Sequence, residues 1–176
     1  FPHAPYRPIT INGGMTMRGW YDITSLDRNG NQDEDGIYQS VGDLRNLIDR
    51  ELVRGIPQNK IIIAGFSQGG AIAIYTALTL ASELGGLIAL STYMPLEKTF
   101  TDLAKNSNKI QSSKLPIFFA HGSYDPVIPL SYGEKTKSFI EQFGYTVDWN
   151  EYPIEHSVSQ REIKDIGQWI SRVLEV

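Results

Sequence analysis

Two kinds of apolar run alternate along this chain. Ile37, Val41, Leu44, Ile48 and Leu52 recur at helical spacing and stop at Gly55-Ile56-Pro57, which predicts a helix. Residues 61–64 form a continuous β-branched stretch instead, the pattern of a strand buried on both faces of a parallel sheet. The alternation then repeats. Residues 70–84 read as a helix closed by Gly85-Gly86, and 87–91 as a second buried strand. Residues 92–115 make a long connection of mixed character. A third strand covers 116–120, and a helix covers 130–143, closed by Gly144. Residues 146–152 alternate like a fourth strand. Ser159-Gln160-Arg161-Glu162 has the form of a capping box opening a last helix through Ile163, Ile166, Trp169, Ile170 and Val173. Strands alternating with helices predict one α/β domain, a mostly parallel sheet with helices on both faces. Residues 1–23, rich in Pro, Gly and aromatics without periodicity, read as a long ordered loop over a surface.

Composition narrows the function classes. At 176 residues the chain can hold one core without staples. With no cysteine, disulfide scaffolds, cysteine-based zinc sites and a cysteine nucleophile are all excluded, which fits a reducing, cytoplasmic compartment. A net charge of −4 with scattered Lys and Arg leaves no footprint for nucleic acid. No apolar run approaches the about 20 residues of an integral membrane segment. The acidic stretch 27–36 resembles a calcium loop only superficially: the turn glycine would have to be Gln32, and the closing glutamate Tyr38. It reads as a solvated loop leading into a helix.

The chemistry is concentrated at Gly65-Phe66-Ser67-Gln68-Gly69, a G-x-S-x-G between a predicted strand and a predicted helix. A sharp turn there holds a serine with its hydroxyl exposed. The flanking glycines avoid collisions, and the helix N-terminus offers the Gln68 N–H to a developing oxyanion. A tight βα turn of a nucleotide-binding fold has the same composition, so the rest of the chain must supply a base and its orienting acid. Asp125 follows the third strand and His156 the fourth, in the order nucleophile, acid, histidine. His3 precedes the serine, and His121 ends a strand as a structural histidine would. Asp148 lies within a strand, Asp102 precedes any strand end, and Glu155 reads as solvated.

Gly13-Gly14-Met15-Thr16-Met17-Arg18-Gly19-Trp20-Tyr21-Asp22-Ile23, Gly65-Phe66-Ser67-Gln68-Gly69-Gly70, His121-Gly122-Ser123-Tyr124-Asp125-Pro126-Val127 and Glu155-His156-Ser157 together resemble the phospholipase/carboxylesterase family that includes the acyl-protein thioesterases. The resemblance runs essentially the whole length. It implies an α/β-hydrolase fold and a Ser67, Asp125, His156 triad, without metal or organic cofactor. The substrates it implies are acyl esters or thioesters, of small molecules, lipids or acylated proteins. It also places Trp20, Met94, Leu96 and Val127 beside the acyl group. Two departures stand out. Glu155 occupies a position usually held by glycine. The family also carries, upstream of a stretch like Phe1-Pro2-His3-Ala4-Pro5, an internal strand whose His-Gly loop gives a second oxyanion donor. The expectation is therefore an N-terminally incomplete hydrolase, slow by itself, with exposed strand edges that favour a homo-oligomer. A non-catalytic binding module on the same scaffold is the rival reading. Within enzymes, lysophospholipase and short-chain esterase stand beside protein deacylase, and a serine protease on a similar frame comes third.

Overall fold

The computed structural model describes residues 2–25, 31–80, 84–106 and 114–175. Four parallel strands, β3 (Ile62–Phe66), β4 (Gly86–Leu90), β5 (Ile117–Gly122) and β6 (Val147–Tyr152), lie side by side in chain order. A two-stranded antiparallel hairpin, β1 (Tyr6–Ile9) and β2 (Met15–Arg18), precedes them. The helices are α1 (Glu34–Val53), α2 (Gln68–Thr79), α3 (Glu97–Lys105), α4 (Leu130–Glu141) and α5 (Gln160–Leu174).

Successive strand residues point to opposite faces, and the core divides accordingly. Ile63, Leu87, Ala89, Ile117 and Phe119 join the larger cluster with α2, α1, Phe100 of α3 and Ile140 of α4. Ile88, Leu90, Phe118 and Ala120 face the other way, against Trp169, Ile166, Ile170 and Val173 of α5. This two-sided burial is why the strands read as continuous apolar runs. β3 is one edge of the sheet, and Ala64 is exposed there. Its outer backbone groups have no strand partner among the described residues.

Several local signals do what their chemistry requires. α1 starts on Asp33, whose Oδ1 accepts the Gly36 N–H at 2.9 Å. It ends at Gly55, whose φ of +88° lets the Gly55 and Ile56 N–H groups reach back to the Leu52 and Glu51 carbonyls. The Ser159 capping box is formed in both directions at the start of α5, at 3.1 and 3.2 Å.

Three expectations need correction. Residues 6–18 are a hairpin, not a loop. Its strands have four residues each and β2 is exposed at every position, so no alternation marks them. The connection 92–115 contains α3, a helix too short for its few buried residues, Phe100 and Ala104, to announce a period. α2 ends at Thr79, with Leu80 already extended, so Gly85 and Gly86 do not close it. They are close-approach glycines: a Cβ at Gly85 would lie 2.6 Å from the Asn59 carbonyl oxygen, and one at Gly86 2.6 Å from the Trp169 ring. Of the acidic stretch 27–36, residues 27–30 lie outside the described residues, and Asp33, Glu34 and Asp35 cap and open α1. No described helix is long and apolar enough to cross a membrane.

Candidate active site

β3 hands directly to α2 through Ser67, whose φ of +55° and ψ of −124° are rare for a residue with a side chain. Such a conformation costs about 1–3 kcal/mol and persists only where its surroundings enforce it. Here they do. The Ser67 N–H donates to the Leu90 carbonyl at 2.9 Å, and the Thr92 hydroxyl donates to the Ser67 carbonyl at 2.7 Å. A Cβ on Gly65 would meet the Gly69 carbonyl oxygen at 2.2 Å, and one on Gly70 would meet Thr92 at 2.7 Å. The turn therefore closes only with glycine at both places, whereas Gly69, expected to avoid a collision, would set a Cβ no closer than 3.4 Å to its nearest neighbour, Trp20 Nε1.

The loops after β5 and β6 are fastened to one another, which brings Asp125 and His156 to the serine. The Ser123 N–H donates to the Tyr152 carbonyl at 2.8 Å and the Tyr124 N–H to the Ile154 carbonyl at 3.0 Å. Gly122 allows this approach, since a Cβ there would meet the Glu155 and Ile154 carbonyl oxygens at 2.4 and 2.5 Å. The Asp125 side chain is fully buried. Its Oδ1 accepts the N–H groups of Val127 and Ile128 at 2.8 and 2.9 Å, and its Oδ2 faces His156 Nδ1 at 2.6 Å. The far ring nitrogen, Nε2, lies 2.9 Å from Ser67 Oγ. A carboxylate can only accept, so Nδ1 carries the proton and Nε2 is left to accept from the serine hydroxyl. The imidazole also packs on Phe66, centroids 4.6 Å apart. Glu155 is exposed beside it, as its reading as a solvated residue anticipates.

Gln68 opens α2, and the first N–H groups of a helix have no intrahelical acceptor. Its backbone N–H is thus available beside Ser67. A cavity adjoins the serine, lined by Tyr21, Ile23, Tyr93, Val127, Ile128 and Tyr132 among others. Of the four residues expected beside the acyl group, Val127 lines it. Met94 and Leu96 are buried and border an adjoining groove with Phe139, while Trp20 sets its indole against Gly69. Asn31, Gln32 and Tyr132 border both spaces. The sequence reading missed the segment 21–25 as a cavity wall, the Phe66 platform and the Thr92 hydroxyl. All three are contacts between distant chain segments or side-chain directions that spacing does not encode.

His121 is buried, not at the site's surface. Its Nδ1 lies 3.2 Å from the Gly122 carbonyl, its Nε2 has no hydrogen-bond partner among the described residues, and burial holds its imidazole below the ordinary histidine range. Among the described residues no cluster of His, Asp and Glu could hold a metal ion.

A serine on a strained strand-to-helix turn, with an aspartate and a histidine on the loops after later strands, defines an α/β-hydrolase. The phospholipase/carboxylesterase family model matches residues 1–174, and the chain belongs to that family. Acyl-protein thioesterase 1 of Yarrowia lipolytica is 40% identical over 174 residues, 97% of this chain and 75% of that protein. The Neurospora crassa acyl-protein thioesterase 1 is 40% identical over 179 residues, 98% and 72% of the respective chains. Among solved structures, Arabidopsis thaliana SOBER1 superposes with a TM-score of 0.89 at 30% identity, covering 99% of this chain and 82% of its own. Zea mays acyl-protein thioesterase 2 shares the fold at a TM-score of 0.89 and 24% identity, over 98% of this chain and 80% of its own. The chain is thus a carboxylic ester hydrolase, of the class acting on esters or thioesters.

Proposed function

We propose that the chain cleaves acyl esters or thioesters through Ser67, His156 and Asp125, by way of an acyl-enzyme. The observation that carries this reading is the unbroken line from Ser67 Oγ to His156 Nε2 at 2.9 Å and from His156 Nδ1 to Asp125 Oδ2 at 2.6 Å. His156 takes the serine proton as Oγ bonds to the acyl carbon. Asp125 holds the imidazole in the tautomer that leaves Nε2 free and stabilises the cation that forms. The Gln68 N–H, at the positive end of α2, donates to the carbonyl oxygen as it gains charge. His156 returns the proton to the departing alkoxide or thiolate. Water, activated by the same imidazole, then releases the carboxylic acid and regenerates Ser67.

The cavity beside Ser67 suits an acyl group. Tyr21, Ile23, Val127 and Ile128 supply apolar surface, and among the described residues that line it none is lysine or arginine. Acylated small molecules, lipids and acylated proteins present the same carbonyl to this site, which we place in the cytoplasm. The edge of β3, which has no strand partner among the described residues, is suited to association between copies.

The test is hydrolysis of p-nitrophenyl butyrate and octanoate by the chain and by Ser67→Ala. Release of nitrophenolate with an initial burst, abolished in Ser67→Ala, supports the proposal. Equal rates for both proteins would remove Ser67 from the mechanism, and no turnover of either ester would favour a binding module.

A further inference from the structure

Acyl transfer at this elbow needs the backbone N–H of Gln68 but asks nothing of its side chain. Yet that side chain is engaged through both of its polar atoms. Its Oε1 accepts the Trp20 N–H at 2.7 Å, and its Nε2 donates to the Tyr21 carbonyl at 2.7 Å. The amide thus grips two consecutive residues of one segment. Only a planar group with one acceptor and one donor at this reach can do so. An ionised glutamate lacks the donor, and methionine has no donor and only a weakly accepting sulfur.

The gripped segment is the wall of the cavity beside Ser67, to which Tyr21, Asp22, Ile23, Thr24 and Ser25 all contribute. Its other ties run elsewhere. The Ser40 hydroxyl of α1 donates to the Trp20 carbonyl, and the Asp22 N–H donates to Asp33 at 2.7 Å. The Ile11 N–H donates to the Ile23 carbonyl at 2.9 Å, and the Tyr21 and Tyr93 hydroxyls meet at 2.9 Å. These bonds fix the wall to α1, to the hairpin and to the loop after β4. The Gln68 amide fixes it to the residue next to the nucleophile.

We infer that Gln68 is a positioning and selectivity residue: its side chain sets the distance between the acyl-pocket wall and the elbow, while its backbone serves the oxyanion. The inference rests on the ester-hydrolase reading above and assigns a specificity device to it. An acyl chain long enough to lie along residues 21–25 depends on that distance, and an acetyl group does not reach it. Loosening the wall therefore weakens turnover of long acyl esters more than of short ones, through KM more than kcat.

The test compares kcat and KM for p-nitrophenyl acetate and octanoate in the wild-type chain, Gln68→Met and Gln68→Glu. In Gln68→Met the octanoate-to-acetate ratio of kcat/KM falls about tenfold or more, chiefly from a higher octanoate KM. Gln68→Glu keeps the acceptor for Trp20 but sets a carboxylate oxygen against the Tyr21 carbonyl. Its ratio is accordingly low near neutral pH, and it recovers as the pH falls and the protonated acid donates to Tyr21. Taking a ratio cancels any effect of pH on the chemical steps that both esters share. A role confined to the elbow lowers both esters equally, and a role confined to folding lowers thermal stability without changing the ratio; either result overturns the inference, as does a pH-independent ratio in Gln68→Glu. Hydrogen exchange of the Trp20 amide gives a readout that needs no turnover. Faster exchange in Gln68→Met supports the clamp, and unchanged exchange overturns it. Should the wild-type chain cleave neither ester, the functional reading fails separately, and the exchange measurement still decides whether Gln68 holds the wall.

Discussion

Replacing Asp125 with asparagine perturbs the site by a single atom, and the surroundings of that carboxylate dictate how the new amide must sit. Oδ1 accepts two backbone N–H groups, from Val127 at 2.8 Å and Ile128 at 2.9 Å. An amide turned the wrong way would point its NH2 at both donors. That orientation loses two hydrogen bonds of about 1 kcal/mol each and leaves buried donors unpaired, at a further ~1–3 kcal/mol apiece. The amide oxygen therefore keeps the Oδ1 place, and the NH2 faces His156 Nδ1. Nδ1 must then accept, so the ring proton moves to Nε2, which lies 2.9 Å from Ser67 Oγ. A protonated Nε2 cannot take the serine proton. The expected loss in kcat is about 10⁴-fold, or about 5.5 kcal/mol of transition-state stabilisation, the scale set by a reversed tautomer in a serine triad. Initial rates on p-nitrophenyl butyrate measure it, with circular dichroism melting as the check that the variant folds. A folded Asp125→Asn protein that loses less than about tenfold would show that His156 acts as base without this carboxylate, and the tautomer assignment would fall.

Other consequences can be measured as directly. Gly65→Ala places a methyl 2.2 Å from the Gly69 carbonyl oxygen and 2.5 Å from the Gly70 nitrogen, both backbone. The elbow must open, so ester hydrolysis should be lost with destabilisation of about 1–3 kcal/mol by urea unfolding, whereas wild-type-like activity would show that the turn is not closed as described. Glu162 is buried in its capping box, and burial raises its carboxyl above the ordinary value of 4.5. A raised folded-state value means that this group's contribution is fully present below 4.5 and is lost as the pH rises through the raised value. Glu162→Gln keeps a side chain able to form the box, so its melting temperature should gain on wild type with rising pH; a constant offset would contradict the burial argument. His121 carries the opposite pH sign: its lowered value means stability is lost as the pH falls below the ordinary histidine value of 6.5. A chain carrying an upstream strand beside β3 with a loop donor at the oxyanion should hydrolyse octanoate about 10² to 10³ times faster than residues 1–176, and equal rates would show that the second donor is unnecessary.

Much of this site is written in short sequence patterns because its chemistry is local at each point. The elbow needs glycine at 65 for steric reasons, as the motif implies, while the second close approach falls on Gly70 rather than Gly69 because it is made with Thr92; the order of Ser67, Asp125 and His156 follows from the order of the strand ends that carry them. The Ser159 capping box likewise needs only four consecutive residues. What stays hidden depends on contacts across the chain. Gln68 and the segment it grips are separated by 48 positions, so no window of sequence connects them. Apart from the buried Ile9, the hairpin at 6–18 carries its large apolar side chains outward, with Tyr6 and Met15 largely exposed, and so lacks the alternation that marks a half-buried strand. The end of α2 is illegible because its residues are buried almost all round, leaving no polar face to show where the helical period stops. Gly85 and Gly86 mimic a helix stop but answer to Asn59 and Trp169 instead.

Every catalytic step proposed for this chain depends on activation of Ser67 by His156. Labelling with a fluorophosphonate probe, followed by peptide mass spectrometry, tests that activation without assuming a substrate. The expected result is a single adduct on the peptide containing Ser67, absent in Ser67→Ala and strongly slowed in His156→Ala. A folded wild-type chain that takes up no probe, or takes it up at the same rate without His156, would contradict the proposed activation.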